Sequence, residues 1–200
     1  MYKIILASES PRRKEILETM GIPFESVPAN VLEEAAETEA AGMVKALAAK
    51  KAEAVAAGLG KEQKDRIIIG ADTMVFYDGH ALGKPKDRED AARMLELLSG
   101  AVHEVYTGVH IIISKNCSDT DRISFAVCTR VTVQPLTAEQ IWDYIATGEP
   151  MDKAGAYAIQ GRFGLHIEEI SGDYYNIVGF PIARIYQKLR SVGIDIKNLK

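Results

Sequence analysis

Three consecutive isoleucines, in the run Arg66-Ile67-Ile68-Ile69-Gly70-Ala71, constrain this chain more than any other feature. A stretch that is β-branched and apolar at successive positions buries both faces of a strand, which makes it a central one. On either side, strand-like and helix-like stretches alternate along the chain. Lys3–Ala7 reads as a short buried strand leading into Ser10-Pro11, where Ser caps a helix and Pro takes its first position. That helix carries Ile16, Leu17 and Met20 on one face and stops at Gly21. Phe24–Pro28 reads as a second strand. An acidic, alanine-rich stretch from Glu33 becomes a long helix over about residues 39–57. Met74–Leu82 contains Asp78-Gly79, a strong hairpin signal.

Farther on, Asp87–Leu98 has the helical period and ends at Ser99-Gly100. Two long strand-like stretches, about 103–114 and 122–135, flank a polar turn and predict an antiparallel pair. Thr137–Thr147 opens with Thr137 and Gln140 in capping-box spacing. A glycine-rich segment fills 148–164, a short strand lies near 165–170, and a final helix runs from about Pro181 to Val192. The expected fold is α/β, a mixed, partly antiparallel central sheet flanked by helices. At 200 residues, with no linker, repeat or low-complexity block, residues 1–200 read as one domain.

Charge narrows the function. Lys+Arg number 24 against Asp+Glu 28, a formal net charge of −4, where broad nucleic-acid binding needs a basic face. No apolar run approaches the ~20 residues of a membrane helix. The start, MYKIILASES, is polar too soon for a secretory signal. Cys117 and Cys128 make neither a disulfide scaffold nor a C-x-x-C pair, and the scattered histidines lack zinc spacing. The expectation is a reduced, soluble, cytoplasmic protein without structural zinc and without nucleic-acid or membrane partners.

Several segments could carry chemistry. Ser8-Glu9-Ser10-Pro11-Arg12-Arg13 stands at a strand-to-helix junction, where free backbone N–H groups and paired guanidinium groups suit a phosphate. A capped helix with two solvated arginines is the plainer alternative. Asp72, directly after RIIIGA and before Thr73, places a carboxylate at a strand end, able to bind a metal or take a proton from water, or simply to shape an Asx turn. Leu82-Gly83-Lys84-Pro85 has the wrong glycine spacing for a P-loop, yet Lys84 could meet a phosphate as a point charge. In Asp152–Gly161, glycines flanking a short strand allow close backbone approach, and Gln160 could offer donor and acceptor to a base edge. Gly172-Asp173-Tyr174-Tyr175-Asn176 reads equally as a binding loop or a tight connection. Glu33 and Lys51 look locally like solvated charges.

In combination, these motifs closely resemble the Maf family of nucleoside triphosphate pyrophosphatases. The resemblance is carried by ILASESPRR at 5–13, IIIGADT at 67–73, LGKPKDREDAARMLELLSG at 82–100, HEVYTGV at 103–109, TGEPMDKAGAYAIQG at 147–161 and GDYYNIVGFPI at 172–182. It implies a fold like the inosine-triphosphate pyrophosphatases, with a cleft between two lobes, usually as a homodimer. It also implies hydrolysis of a nucleoside triphosphate to monophosphate and pyrophosphate with a divalent cation, Mg²⁺ or Mn²⁺. Matched position by position, it makes Asp72 the general base and gives Ser8, Arg12, Arg13, Lys51 and Lys84 phosphate contacts, with Lys50 as an alternative to Lys51. Glu33 and Asp72 would hold the metal. Arg12 or Arg13, Thr73 and Gln160 are similar to the dTTP/UTP-cleaving branch and not to the 7-methyl-GTP branch. Rival readings are relaxed house-cleaning of modified nucleotides, or a nucleotide-binding regulator of septum formation.

Overall fold

The computed structural model describes residues 2–32, 37–59, 65–115 and 118–198. In chain order the regular elements are β1 (Lys3–Leu6), α1 (Pro11–Thr19), β2 (Glu25–Ser26), α2 (Ala40–Gly58), β3 (Arg66–Tyr77), β4 (His80–Leu82) and α3 (Arg88–Leu98). They continue with β5 (Val102–Lys115), β6 (Ser118–Val133), α4 (Ala138–Ala146), β7 (Ile167–Ser171), α5 (Tyr174–Val178) and α6 (Ile182–Ser191). Seven strands form one mixed sheet in the order β2-β1-β3-β5-β6-β7, with β4 paired to β3 off that path. The α/β class with helices flanking a mixed sheet is thus as the sequence predicts.

Two compact units divide the chain: residues 1–72, 107–127 and 179–200 form the first, and 73–106 with 128–178 the second. In the first, β1 pairs in parallel with β2 and with β3, with Leu6 opposite Ser26 and Ile69. Ile5, Ile68 and Ile112 from the strands, Ala7 just past β1, and Ala52 and Val55 from α2 make one buried cluster. The buried stripe of α2 is Val44, Leu47, Ala48, Lys51, Ala52 and Val55, at the three- and four-residue steps of a helix lying on a sheet. One member of that apolar stripe is charged, Lys51.

The second unit holds the β3–β4 hairpin, whose turn residues Asp78 and Gly79 sit at φ of 49° and 73°, as a two-residue turn of the primed type requires. Asp87 caps α3 by accepting the Asp90 N–H at 2.7 Å. The expected capping box opens α4: Gln140 N–H donates to Thr137 Oγ1 at 3.2 Å and Thr137 N–H to Gln140 Oε1 at 2.8 Å. Phe163 is fully buried between Tyr144 and Tyr157, each ring 5.0 Å away centre to centre.

Four local expectations are corrected. β3 does not end at Ala71 but continues to Tyr77, so Asp72 and Thr73 lie inside a strand and no Asx turn forms. Their polar side chains had masked the continuation of the apolar run. Ser10 stands at the N-cap of α1, but its side chain makes no capping bond; Ser8 Oγ instead accepts the Ser10 N–H at 3.2 Å. Residues 152–161 contain no strand, only short 3₁₀ turns at Glu149–Asp152 and Ala154–Ala156, because the glycines favour turning over pairing. Finally, Tyr174–Val178 is a short helix, neither open loop nor tight turn.

Candidate functional site

Parallel strands direct their carboxyl ends the same way, and ligands of α/β sheets gather beyond those ends. In the first unit β1 stops at Leu6, opposite Ile69, and Ala7 N–H still donates to Ile69 O at 2.9 Å. Ser8 follows Ala7 just past the end of β1, and Asp72 lies three residues after Ile69 within β3. Both Ser8 and Asp72 are buried, at 7% and 6% exposure.

Asp72 does not stand alone. Lys51 Nζ donates to its Oδ1 at 2.6 Å, with both side chains about nine-tenths buried. This answers why a charged residue belongs to the apolar stripe of α2: an ammonium group at such depth needs a counter-charge. Of the two adjacent lysines, Lys51 turns inward and Lys50 is exposed.

Two glycines make the pairing possible. A Cβ on Gly70, in β3, would lie 2.3 Å from Ala48 O and 2.9 Å from Ala52 N; one on Gly108, in β5, would lie 2.2 Å from the carbonyl of Val44. These contacts are with helix backbone, so no rotamer change relieves them. Hydrogen in place of Cβ at both positions lets α2 settle close enough on the sheet for Lys51 to reach Asp72. Both glycines stand inside the motifs IIIGADT and HEVYTGV, but which backbone they face is a tertiary fact that spacing does not carry.

The segment after β1 is braced from three sides. Arg13 is buried; its Nε donates to Gly179 O at 2.8 Å and its Nη1 to Ser8 Oγ at 3.1 Å. Ser26 Oγ donates to Ser8 O at 2.7 Å. The two arginines therefore differ: Arg13 fastens the loop, while Arg12 is half-buried on the first turn of α1. Sequence reasoning missed Ser26 and Gly179 as partners: Gly179 stands within GDYYNIVGFPI, but that its carbonyl meets Arg13 is set by the fold.

The remaining candidates belong to the second unit. Thr73 follows Asp72 in β3 and is half-buried. Lys84 is exposed in the loop after β4, and that loop is pinned where Gly155 N–H donates to Gly83 O at 3.0 Å. Gln160 is exposed in a turn closed by Gly161 N–H donating to Ala158 O at 3.1 Å. Glu33 lies outside the described residues.

Whether these residues suit a divalent cation follows from the donor set. Among the described residues no group of three or more His, Cys, Asp or Glu side chains could enclose a metal. The first unit offers instead one buried carboxylate, Asp72. That fits Mg²⁺ or Mn²⁺, hard cations taken up through one or two carboxylates and completed by water and substrate phosphates.

Comparison with known proteins turns the motifs into a family. The Maf-like protein family matches residues 3–192. The chain belongs to the Maf family. Within it, the chain is 50% identical over 196 residues to a dTTP/UTP pyrophosphatase of Lachnoclostridium phytofermentans, covering 98% of each. It is 49% identical to one from Agathobacter rectalis, covering 98% of this chain and 100% of that one. A Bacillus cereus protein of the same name is 47% identical, with 98% of each covered. Among solved structures, the Staphylococcus aureus Ham1 protein aligns at 15% identity and a TM-score of 0.48 over 95% of this Maf chain and 99% of its own. No helix among the described residues is long and apolar enough to cross a membrane.

Proposed function

We propose that this Maf chain hydrolyses dTTP and UTP to the nucleoside monophosphate and pyrophosphate, with residues 1–200 acting as one functional domain in a cytoplasmic homodimer. The observation that carries the reading is the buried Asp72–Lys51 pair at 2.6 Å, in a chain half identical to proteins named for that reaction.

Asp72 acts as the general base. With Oδ1 engaged by Lys51, Oδ2 accepts the proton of a water whose oxygen forms a bond to the α-phosphorus. The bond from that phosphorus to the bridging oxygen breaks, and pyrophosphate departs with the electron pair. Arg12, Lys51 and Lys84 counter the charge on the phosphates, and Ser8 and Arg13 shape the loop that receives them. Thr73 and Gln160 meet the O4, N3–H and O2 edge of uracil or thymine, where a wrong base leaves polar groups unpaired. Asp72, with Glu33, would hold the divalent cation, whose chemistry is to neutralise the triphosphate and favour the phosphoryl transition state.

Pyrophosphate release from dTTP, UTP and 7-methyl-GTP with Mg²⁺ or Mn²⁺ tests this reading. The expected result is turnover of dTTP and UTP, reduced by about 10²–10⁴-fold in Asp72→Asn. Near-normal turnover in that variant removes Asp72 as the base. A preference for 7-methyl-GTP overturns the pyrimidine assignment, and binding without turnover favours a regulator. Sedimentation of the intact chain checks the dimer.

A further inference from the structure

Gln160 is the exposed residue of its turn, yet both flanks of that turn lead back to one carboxylate. Arg162 N–H donates to Glu149 Oε2 at 3.2 Å. On the other flank Ala158 N–H donates to Tyr144 Oη at 3.2 Å, and that hydroxyl donates to Glu149 Oε1 at 2.8 Å. Residues two before and two after Gln160 are therefore tied to the same side chain.

The tie is anchored in turn. Tyr144 sits in the last turn of α4 and is 4% exposed. Glu149 N–H donates to Thr147 Oγ1 at 3.1 Å, and Thr147 Oγ1 donates to Tyr144 O at 2.6 Å. The clamp thus grows from a helix end and not from another loop. Burial, and then the Glu149 carboxylate, raise the Tyr144 phenol above its ordinary value, which keeps it a donor.

Gly161 shows how closely the turn is fitted. Its backbone is extended, at φ −113°, so turning does not demand glycine there. A Cβ at that position would fall 2.0 Å from Glu149 Oε1 and 2.5 Å from Oε2. The glycine after Gln160 makes room for the carboxylate.

We propose that Glu149, acting with Tyr144, is a positioning residue for base selectivity: it fixes where the Gln160 amide is presented. This rests on the reading above that Gln160 meets the base. A two-point match of an amide to a base edge demands placement within a fraction of an ångström, which an exposed turn does not provide without a tether.

The experiment compares kcat/KM for dTTP and dCTP, which differ at the edge Gln160 would meet, in Glu149→Gln, Tyr144→Phe and Gln160→Ala. Glutamine keeps the size of Glu149 and removes its charge, exchanging two charge-assisted bonds for weaker neutral ones without emptying the space. The expected result is a dTTP-to-dCTP ratio lowered about tenfold in Glu149→Gln and in Tyr144→Phe. The pairing of either with Gln160→Ala should be no less selective than Gln160→Ala alone. Hydrogen exchange of the peptide spanning Ala158–Arg162 should quicken in both clamp variants. If both variants keep the ratio while Gln160→Ala lowers it, the clamp is refuted and the reading of Gln160 stands. If Gln160→Ala itself keeps the ratio, that reading falls and the clamp's role with it.

Discussion

Removing the ammonium group from Lys51 is the most informative single perturbation. Methionine at that position is unbranched and of similar length, so Lys51→Met fills the same space in the α2 stripe but leaves the Asp72 carboxylate without its cation. The Asp72 side chain is 9% exposed, so water replaces little of what is lost. Breaking one side of a buried pair costs about 3–5 kcal/mol, because the remaining charge is uncompensated. Against a total stability of roughly 5–15 kcal/mol this is a large fraction. It lowers Tm by roughly 6 to 20 °C in a chain of this size. The assay is urea unfolding followed by the helical circular-dichroism band, to which α1, α2 and α6 of the first unit contribute more helical residues than α3, α4 and α5 of the second, set beside Trp142 fluorescence, which reports on the second alone. Lys51→Met/Asp72→Asn removes both charges and should regain at least about 2 kcal/mol of the loss. A cost for Lys51→Met below about 1 kcal/mol, as for a surface pair, rules out a strongly coupled buried pair. So does a double variant no more stable than Lys51→Met alone.

Two further outcomes follow from buried groups elsewhere. Burial pushes the His103 imidazole from 6.5 down to about 4, and His110 is lowered for the same main reason. The folded state refuses a proton that the unfolded chain accepts. Stability is therefore complete above pH 6.5 and falls as pH drops toward 4, by about 3 kcal/mol for His103. His103→Gln should flatten that part of the curve in urea titrations from pH 7 to 4, and an unchanged slope would remove His103 as its cause. Gly70→Ala should destabilise the chain at the upper end of roughly 1–3 kcal/mol and cut turnover further than its folded fraction explains, since α2 must lift away from Asp72. Gly58→Ala, whose Cβ meets nothing within 4 Å, is the control. Equal turnover in these two variants would show that α2 need not lie close.

Local signals were sufficient wherever the physics is local. The capping box at Thr137 and Gln140, the Asp78-Gly79 turn and the buried isoleucines of β3 depend on neighbours within four residues, and each forms as read. The apolar pattern of β3 stops where polar side chains begin at Asp72, while its ladder continues to Tyr77. Ser10 reaches the N-cap position but its side chain makes no capping bond, and its own N–H is held by Ser8 Oγ, a contact that Arg13 shares.

The α/β class, the succession of the main strands and helices, and the family follow from the chain alone, because periodicity, turn chemistry and motif order are local properties. Tertiary structure decided what each candidate does with its neighbours. Lys51 looks like a solvated charge in LAAKKAEA and becomes the partner of Asp72 only because Gly70 and Gly108 admit α2 to the sheet. Glu149 reads as one acid in TGEP and becomes the anchor of the Gln160 turn only when α4 delivers it there. Pairing across 21 residues, or across 13, depends on how backbones approach in space, and no local pattern records that distance.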